Sequence, residues 1–268
     1  MIPLPQANPP KSTLDGLAIY QAQVNAIPSY ADRVTAAKSK FKSYNVAKNS
    51  VFKAIRGLLA QMCAGPRRCC YCEDSVADEV EHIAPKNLYP DLVFDWANYL
   101  YACGACNGPK SSKYAIISKA GLLVHVGRGK NDPVILPASG IHALINPRAE
   151  DPQEYLWLDI IDTFNFVAIA APGTVKEVRA TYTCELLALN NRDVLVEARR
   201  VAFGSYRARL VEYITARDDG ASILELNSLI VALNAMANPA VWLEMKRSHL
   251  LRPDLQRLFG LAPEAHNW

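Results

Sequence analysis

No stretch of this sequence runs the roughly 18 apolar residues needed to cross a bilayer. Its most apolar segment, residues 229–243, is broken by Asn234, Asn238 and Pro239. The opening residues MIPLPQANPPKS lack a basic start followed by an apolar core, so no secretory leader is expected there. These two absences set the expectation of a cytoplasmic chain with no membrane partner. A strong charge imbalance is missing as well: the formal net charge is +3 and the sequence pI about 8.4. Such mild basicity is compatible with nucleic acid without arguing for it. Repeats and low-complexity tracts are absent too. With 50% hydrophobic and 21% charged residues, the composition is that of a folded protein rather than a disordered one. A chain of 268 residues can bury one large core or a core with a small module set into it.

What is present is unevenly distributed. Of seven cysteines, five fall in two tight groups, Cys69-Cys70-x-Cys72 and Cys103-x-x-Cys106. In a reducing compartment that grouping points to metal binding rather than disulfides. Two Cys-x-x-Cys knuckles, Cys69/Cys72 and Cys103/Cys106, would give four thiolates for a tetrahedral structural zinc. Cys70 is the alternative to Cys69, but it would not form a two-residue knuckle with Cys72. Thirty residues, Glu73 to Ala102, separate the knuckles. That exceeds the spacer of roughly 15–20 residues in simple zinc ribbons, so a functional insertion is expected between them. Cys63 and Cys184 read as buried apolar thiols.

The chain divides into an N-terminal helical region (1–62), a cysteine module (63–125) and a mainly helical C-terminal region (126–268). Val51, Ile55, Leu58, Leu59 and Met62 recur at helical steps, with Asn45 as a candidate N-cap. The run Phe164–Ala171, ended by Pro172-Gly173, is the best strand outside the module. Breaks at 189–191 and 218–220 bound a long helix, and Pro253 interrupts the last helical stretch. The expected fold class is therefore mostly α with a small mixed module, α+β overall.

Within the spacer lie Glu81-His82, then Asn98, and Asn107 follows Cys106 directly. His82, Asn98 and Asn107 are separated by 15 and then 8 residues. With these residues in place, 69–114 resembles an HNH endonuclease module of the type braced by four cysteines. The resemblance implies a ββα-metal finger: a first strand ending at Glu81-His82, a second over Asn98 to Tyr101, and a helix from near Cys103. It implies His82 as general base, since imidazole titrates near neutrality. Glu81 and Asn107 would be hard oxygen ligands for a catalytic Mg²⁺ or Mn²⁺, and Asn98 would brace the 83–97 loop and orient His82. Lys110 and Lys113 would meet the substrate backbone. Glu81 stands where Asp is commoner in the family and Asn107 where a last histidine would be. Both replacements keep an oxygen donor.

The phrases CCYCE, EHIAPK, WANYLYACGACNGPKSSK, LINPRAEDPQEYL and TYTCELLALNNRDVLVEARR are similar to HNH proteins of bacterial anti-phage defence operons, of Septu and retron-associated type. That likeness implies a DNA endonuclease working beside an ABC-type ATPase subunit. Two alternatives stand next to it: a zinc-braced nucleic-acid-binding module without turnover, and an RNA-cleaving effector active only in complex with the ATPase. His125, His142, His249 and His266 have no ligand pattern around them and read as structural. The stretch Arg192–Arg217 carries six arginines against three acids, either a nucleic-acid track or a salt-bridged helix face.

Overall fold

The computed structural model describes residues 1–110 and 113–268. Three helices come first: α1 (Lys11–Asn25), α2 (Tyr30–Tyr44) and α3 (Ser50–Gln61). Each of α2 and α3 buries residues at steps of three and four, Val34, Ala37 and Phe41 on one, Phe52, Ile55 and Leu59 on the other. These stripes turn toward each other, with the Phe41 and Phe52 rings edge to face at 5.5 Å. Asn45 does not start α3. Its N–H donates to Phe41 O at 2.8 Å, so it ends α2, and Asn49 caps α3 by accepting from Phe52 N at 3.1 Å.

Beneath this layer lies an antiparallel hairpin of β1 (Glu79–His82) and β2 (Tyr99–Ala102). Its register pairs Val80 with Tyr101, Glu81 with Leu100 and His82 with Tyr99. A short helix, α4 (Gly104–Lys110), follows at once. Next come β3 (Ala115–Ile117), β4 (Leu123–His125) and β5 (Ile141–His142), a three-stranded antiparallel sheet with β3 in the centre. A second hairpin pairs β6 (Leu156–Leu158) with β7 (Phe166–Ala168). It realises the expected strand in shortened form, because Phe164 has φ +58° and cannot lie in a ladder.

The rest is helical: α5 (Val175–Leu186), α6 (Asp193–Asp218), α7 (Ile223–Asn234), α8 (Pro239–Arg247) and α9 (Pro253–Leu261). Pro253 starts α9 at its first turn, where a missing N–H costs nothing. The fold is thus α+β and mostly helical, and most of its buried apolar residues form one cluster with members from all three sequence regions. Among the described residues no single helix is long and apolar enough to cross a membrane. Of the bent pair α7–α8, which together have the length, α8 buries Ala240, Val241, Trp242 and Met245 in the protein.

The arginines of α6 are engaged internally. Arg199 donates to Phe164 O and Leu189 O, Arg207 pairs with Asp254, Arg209 with Glu212, Arg200 with Glu197, and Arg217 with Asp218 and Glu264. The helix is therefore laced to its neighbours. A second internal tie holds α5 to the segment after β5: the Arg179 fork grips Glu150 at 2.5 and 2.7 Å, and Tyr155 Oη donates to Glu150 at 2.5 Å. Removing one partner leaves the other charge largely buried, so Glu150→Ala is expected to lower unfolding free energy by about 3 kcal/mol. Urea titration of the variant against the parent measures it, and a loss below about 0.5 kcal/mol would show the pair to be solvent-screened.

Candidate active site

The two knuckles meet. The sulfur atoms of Cys69, Cys72, Cys103 and Cys106 lie within 4.8 Å of one another, and all four residues are buried. A tetrahedron of 2.3 Å zinc–sulfur bonds sets sulfur pairs about 3.8 Å apart; Cys72 Sγ and Cys103 Sγ are 3.9 Å apart. The donor set, its burial and this spacing all fit a structural zinc. Cys70 is outside the set. Its N–H donates to Tyr101 O at 2.9 Å, and its thiol turns away to Cys63, 3.9 Å distant. Arg192 Nη2 donates to Cys106 Sγ at 3.1 Å, which supports thiolate character there. The sequence counts this arginine only within the Arg192–Arg217 stretch and does not disclose its tie to the cysteines, because the contact spans 86 residues.

The cysteine cluster sets the start of α4. Cys103 O accepts from Cys106 N at 3.0 Å and from Asn107 N at 2.9 Å, so the second knuckle is itself the first turn. Three residues further on, Lys110 falls on the same face as Asn107. Both side chains line a cavity of about 350 Å³, together with Glu81, His82, Lys38, Pro85, Lys86, Asn87 and Arg128. Lys113 is not among them; it lines a separate cavity with Tyr114, His125 and Tyr182.

Lys110 is 1% exposed and lies 2.6 Å from Glu81 Oε1. It also donates to His82 O at 2.6 Å. Burial pulls the Lys110 ammonium below its ordinary range, and Glu81 opposes that by stabilising the charge. A buried carboxylate thus already holds a cation in this pocket. Asn107 Nδ2 donates to Glu79 Oε2 at 2.5 Å, a bond that leaves the harder amide oxygen uncommitted. Glu81 and Asn107 therefore face one cavity, and their donor types fit a hard divalent ion completed by water.

His82 ends β1 with 2% of its surface exposed. The Phe41 ring stands edge-on at 4.4 Å and the Tyr99 ring at 5.2 Å. His82 Nε2 is 3.0 Å from Val93 O. A carbonyl only accepts, so Nε2 carries the proton and Nδ1 the lone pair. Tyr99 Oη donates to the same carbonyl at 2.5 Å. Burial holds the imidazole well below its ordinary pKa, and the cations of Lys86 and Lys110 lower it further against the Val93 bond.

Asn98 sits just before β2 and is buried. Its Oδ1 accepts from Ala84 N at 2.7 Å, and its Nδ2 donates to Ala84 O and Leu92 O, each at 3.0 Å. One side chain thereby closes the 83–97 loop, and the loop delivers Val93 O to His82. Arg148 adds a brace from outside the module. It donates to Trp96 O and, at 2.8 Å, to Tyr99 O, with its guanidinium over the Trp96 ring at 4.3 Å. The quoted phrase LINPRAED contains it, but no local spacing discloses its target.

Two outcomes follow. Cys103→Ser should reduce bound zinc from about one per chain toward zero and lower the melting temperature; elemental analysis with calorimetry measures both. The second concerns acid. An unfolded chain protonates His82 near pH 6.5, while the folded chain refuses that proton until well below. Stability from this group is therefore unaffected above about pH 7 and declines as pH falls below about 6.5, by up to about 1.4 kcal/mol per pH unit. His82→Gln should flatten that decline in urea titrations at about pH 7.5, 6 and 5; an unchanged slope would place the proton elsewhere.

Over 156 residues the sequence is 30% identical to Septu protein PtuB of Bacillus thuringiensis, a match covering 56% of this chain and 48% of that protein. The chain spans about half the length of the curated relative it matches. No protein-family model matches it, and no solved structure does. On this match the chain is a distant relative of Septu protein PtuB.

Proposed function

We propose that this protein is a metal-dependent endonuclease of HNH type that hydrolyses phosphodiester bonds of DNA, as an effector of anti-phage defence. The observation that carries the reading is the buried His82, whose Nε2 is tied to Val93 O and which lines the same cavity as Glu81 and Asn107. A hairpin followed at once by a helix, with a four-cysteine cluster at the junction, supports it. The relationship to Septu protein PtuB supports the defence setting, and the resemblance to defence-operon HNH proteins implies an ABC-type ATPase as the candidate partner.

In this reading a water oxygen attacks phosphorus while His82 Nδ1 accepts the water's proton. The new P–O bond forms as the bond to the 3′ oxygen breaks, and the departing oxygen takes a proton from solvent water, leaving 5′-phosphate and 3′-hydroxyl ends. Val93 O and Asn98 keep the imidazole in its productive tautomer and place. A bound Mg²⁺ or Mn²⁺, held through Glu81 and the Asn107 amide oxygen, would neutralise charge on the phosphate and the departing oxygen. Because folding already keeps His82 neutral, no acid-side deprotonation of the base is needed at physiological pH.

Purified protein with zinc retained should nick supercoiled plasmid on addition of Mg²⁺ or Mn²⁺. His82→Ala should lower the rate by about 10²–10⁴-fold, and Asn98→Ala should lower kcat more than it raises KM. Equal nicking by His82→Ala sinks the catalytic role of His82. Retention of DNA without cleavage in any divalent ion, with and without a co-expressed ATPase, would instead favour a binding module.

A further inference from the structure

Four cationic side chains converge on the cavity beside His82, and they come from separate parts of the chain. Lys38 is on α2, Lys86 follows β1 in the phrase EHIAPK, Lys110 is on α4, and Arg128 lies beyond β4. Glu81 is the one carboxylate among the described residues lining it. That carboxylate pairs with Lys110 through Oε1, at 2.6 Å. Among the described residues Lys38, Lys86 and Arg128 enter no ion pair. Lys86 stands over the Phe41 ring at 5.0 Å. Arg128 Nη2 donates to Tyr30 Oη at 2.7 Å and to Asn87 O, both neutral groups, and its Nε is buried without a hydrogen bond.

Such a cluster costs folding free energy. Like charges around one cavity repel, and burial weakens the water that would screen them. Burial already pulls the Lys86 ammonium below its ordinary range, with Lys110 and Lys38 adding to that push against Glu81. An anion in the cavity would reverse the sign of these terms. The cavity, about 350 Å³, is the size of a nucleotide-scale ligand. Arg128 is fixed by two bonds on one nitrogen, which leaves the guanidinium other N–H groups for an acceptor with several oxygens, as phosphate has.

We propose that Lys38, Lys86 and Arg128 form a phosphate cradle that seats a phosphodiester of a polynucleotide strand beside His82, while Lys110 remains the internal partner of Glu81. The proposal rests on the nuclease reading for the identity of its ligand and adds to it a substrate-holding role for the N-terminal helical layer. It assigns α2 two tasks: Phe41 shields the imidazole, and Lys38, one turn earlier, reaches the substrate.

The test uses the full chain with zinc retained and with His82→Ala to stop turnover. Binding of fluorescein-labelled oligothymidylate of about 20 nucleotides is measured at several salt concentrations, with its duplex and inorganic phosphate as parallel probes. On the tighter of the two nucleic acids, Lys86→Gln and Lys38→Gln should each weaken binding about 3–10-fold at low salt. Each should reduce the slope of log K against log salt by about 0.7 for single strand or 0.9 for duplex. Arg128→Gln should weaken binding similarly, Lys86→Arg should restore it, and Lys119→Gln, an exposed lysine outside the cavity, should leave it unchanged. Zinc content and melting temperature confirm that each variant is folded. Unchanged binding and slope in all three cradle variants overturns the cradle. So does a loss as large in Lys119→Gln, no nucleic-acid binding by the parent, or a Lys86-dependent response to inorganic phosphate with none to either nucleic acid. Nicking by the His82-intact protein separates the two claims. Cleavage with unaffected cradle variants keeps the nuclease and removes the cradle. Lys86-dependent binding without cleavage keeps the cradle and removes the nuclease.

Discussion

The four-thiol cluster closes a loop of 30 residues, and the histidine and both asparagines lie inside that loop or one residue past its second knuckle. Closing a loop of this length costs chain entropy that a pair of short strands cannot offset alone. Four buried thiols supply the missing term only as metal ligands, since unligated they would be small apolar groups competing for a few protons. The cluster also sets the phase of α4, because Cys103 O is the first acceptor of that helix. Once Cys106 is fixed, Asn107 and Lys110 can turn only toward β1, where Glu81 waits.

From this anchor the site is built outward in two layers. Backbone groups act first: β1 and β2 pair in a register that puts His82 opposite Tyr99, and Tyr99 Oη then shares Val93 O with the imidazole. Side chains from afar act second, Phe41 from α2 and Arg148 from beyond β5. The cysteine module is therefore not self-sufficient. Its hairpin is roofed by α3 and its loop is pinned by Arg148, which is why the buried core runs without a gap through all three sequence regions.

Legibility from sequence follows the same division. Cys69, Cys72, Cys103 and Cys106 were readable because metal ligands must recur at short fixed spacings. His82, Asn98 and Asn107 were singled out through the family resemblance, which also implied the end of β1 and the start of α4, while the bounds of α6 followed from local breaks. Val93 was invisible because its contribution is a carbonyl, which every residue has. Arg148, Arg192, Lys38 and Arg128 were invisible as site residues because their contacts or their cavity join positions 41 to 90 residues apart or more. The arginine-rich α6 illustrates the converse: its charge was countable, but its partners Asp254 and Glu264 and the carbonyls of Phe164 and Leu189 lie on other elements. Asn45 and Asn49 differ by four residues and both suit a cap; only the tertiary course of the chain decides which one starts α3.

A binding module and an enzyme would place different demands on His82, and here the two can be weighed. A protein that only holds a polyanion gains from an exposed or protonated imidazole, since charge is what it offers to phosphate. The fold does the opposite. It strips the ring of water, surrounds it with Phe41 and Tyr99, and lets Lys86 and Lys110 discourage its protonation. The lowered pKa makes stability fall in acid and keeps a cation out of the cavity, so affinity for a polyanion is not served. What is gained is a neutral base with one defined lone pair, its other nitrogen tied to a carbonyl that Tyr99 also grips. The lysines and Arg128 that line the same cavity carry the positive charge that the histidine withholds.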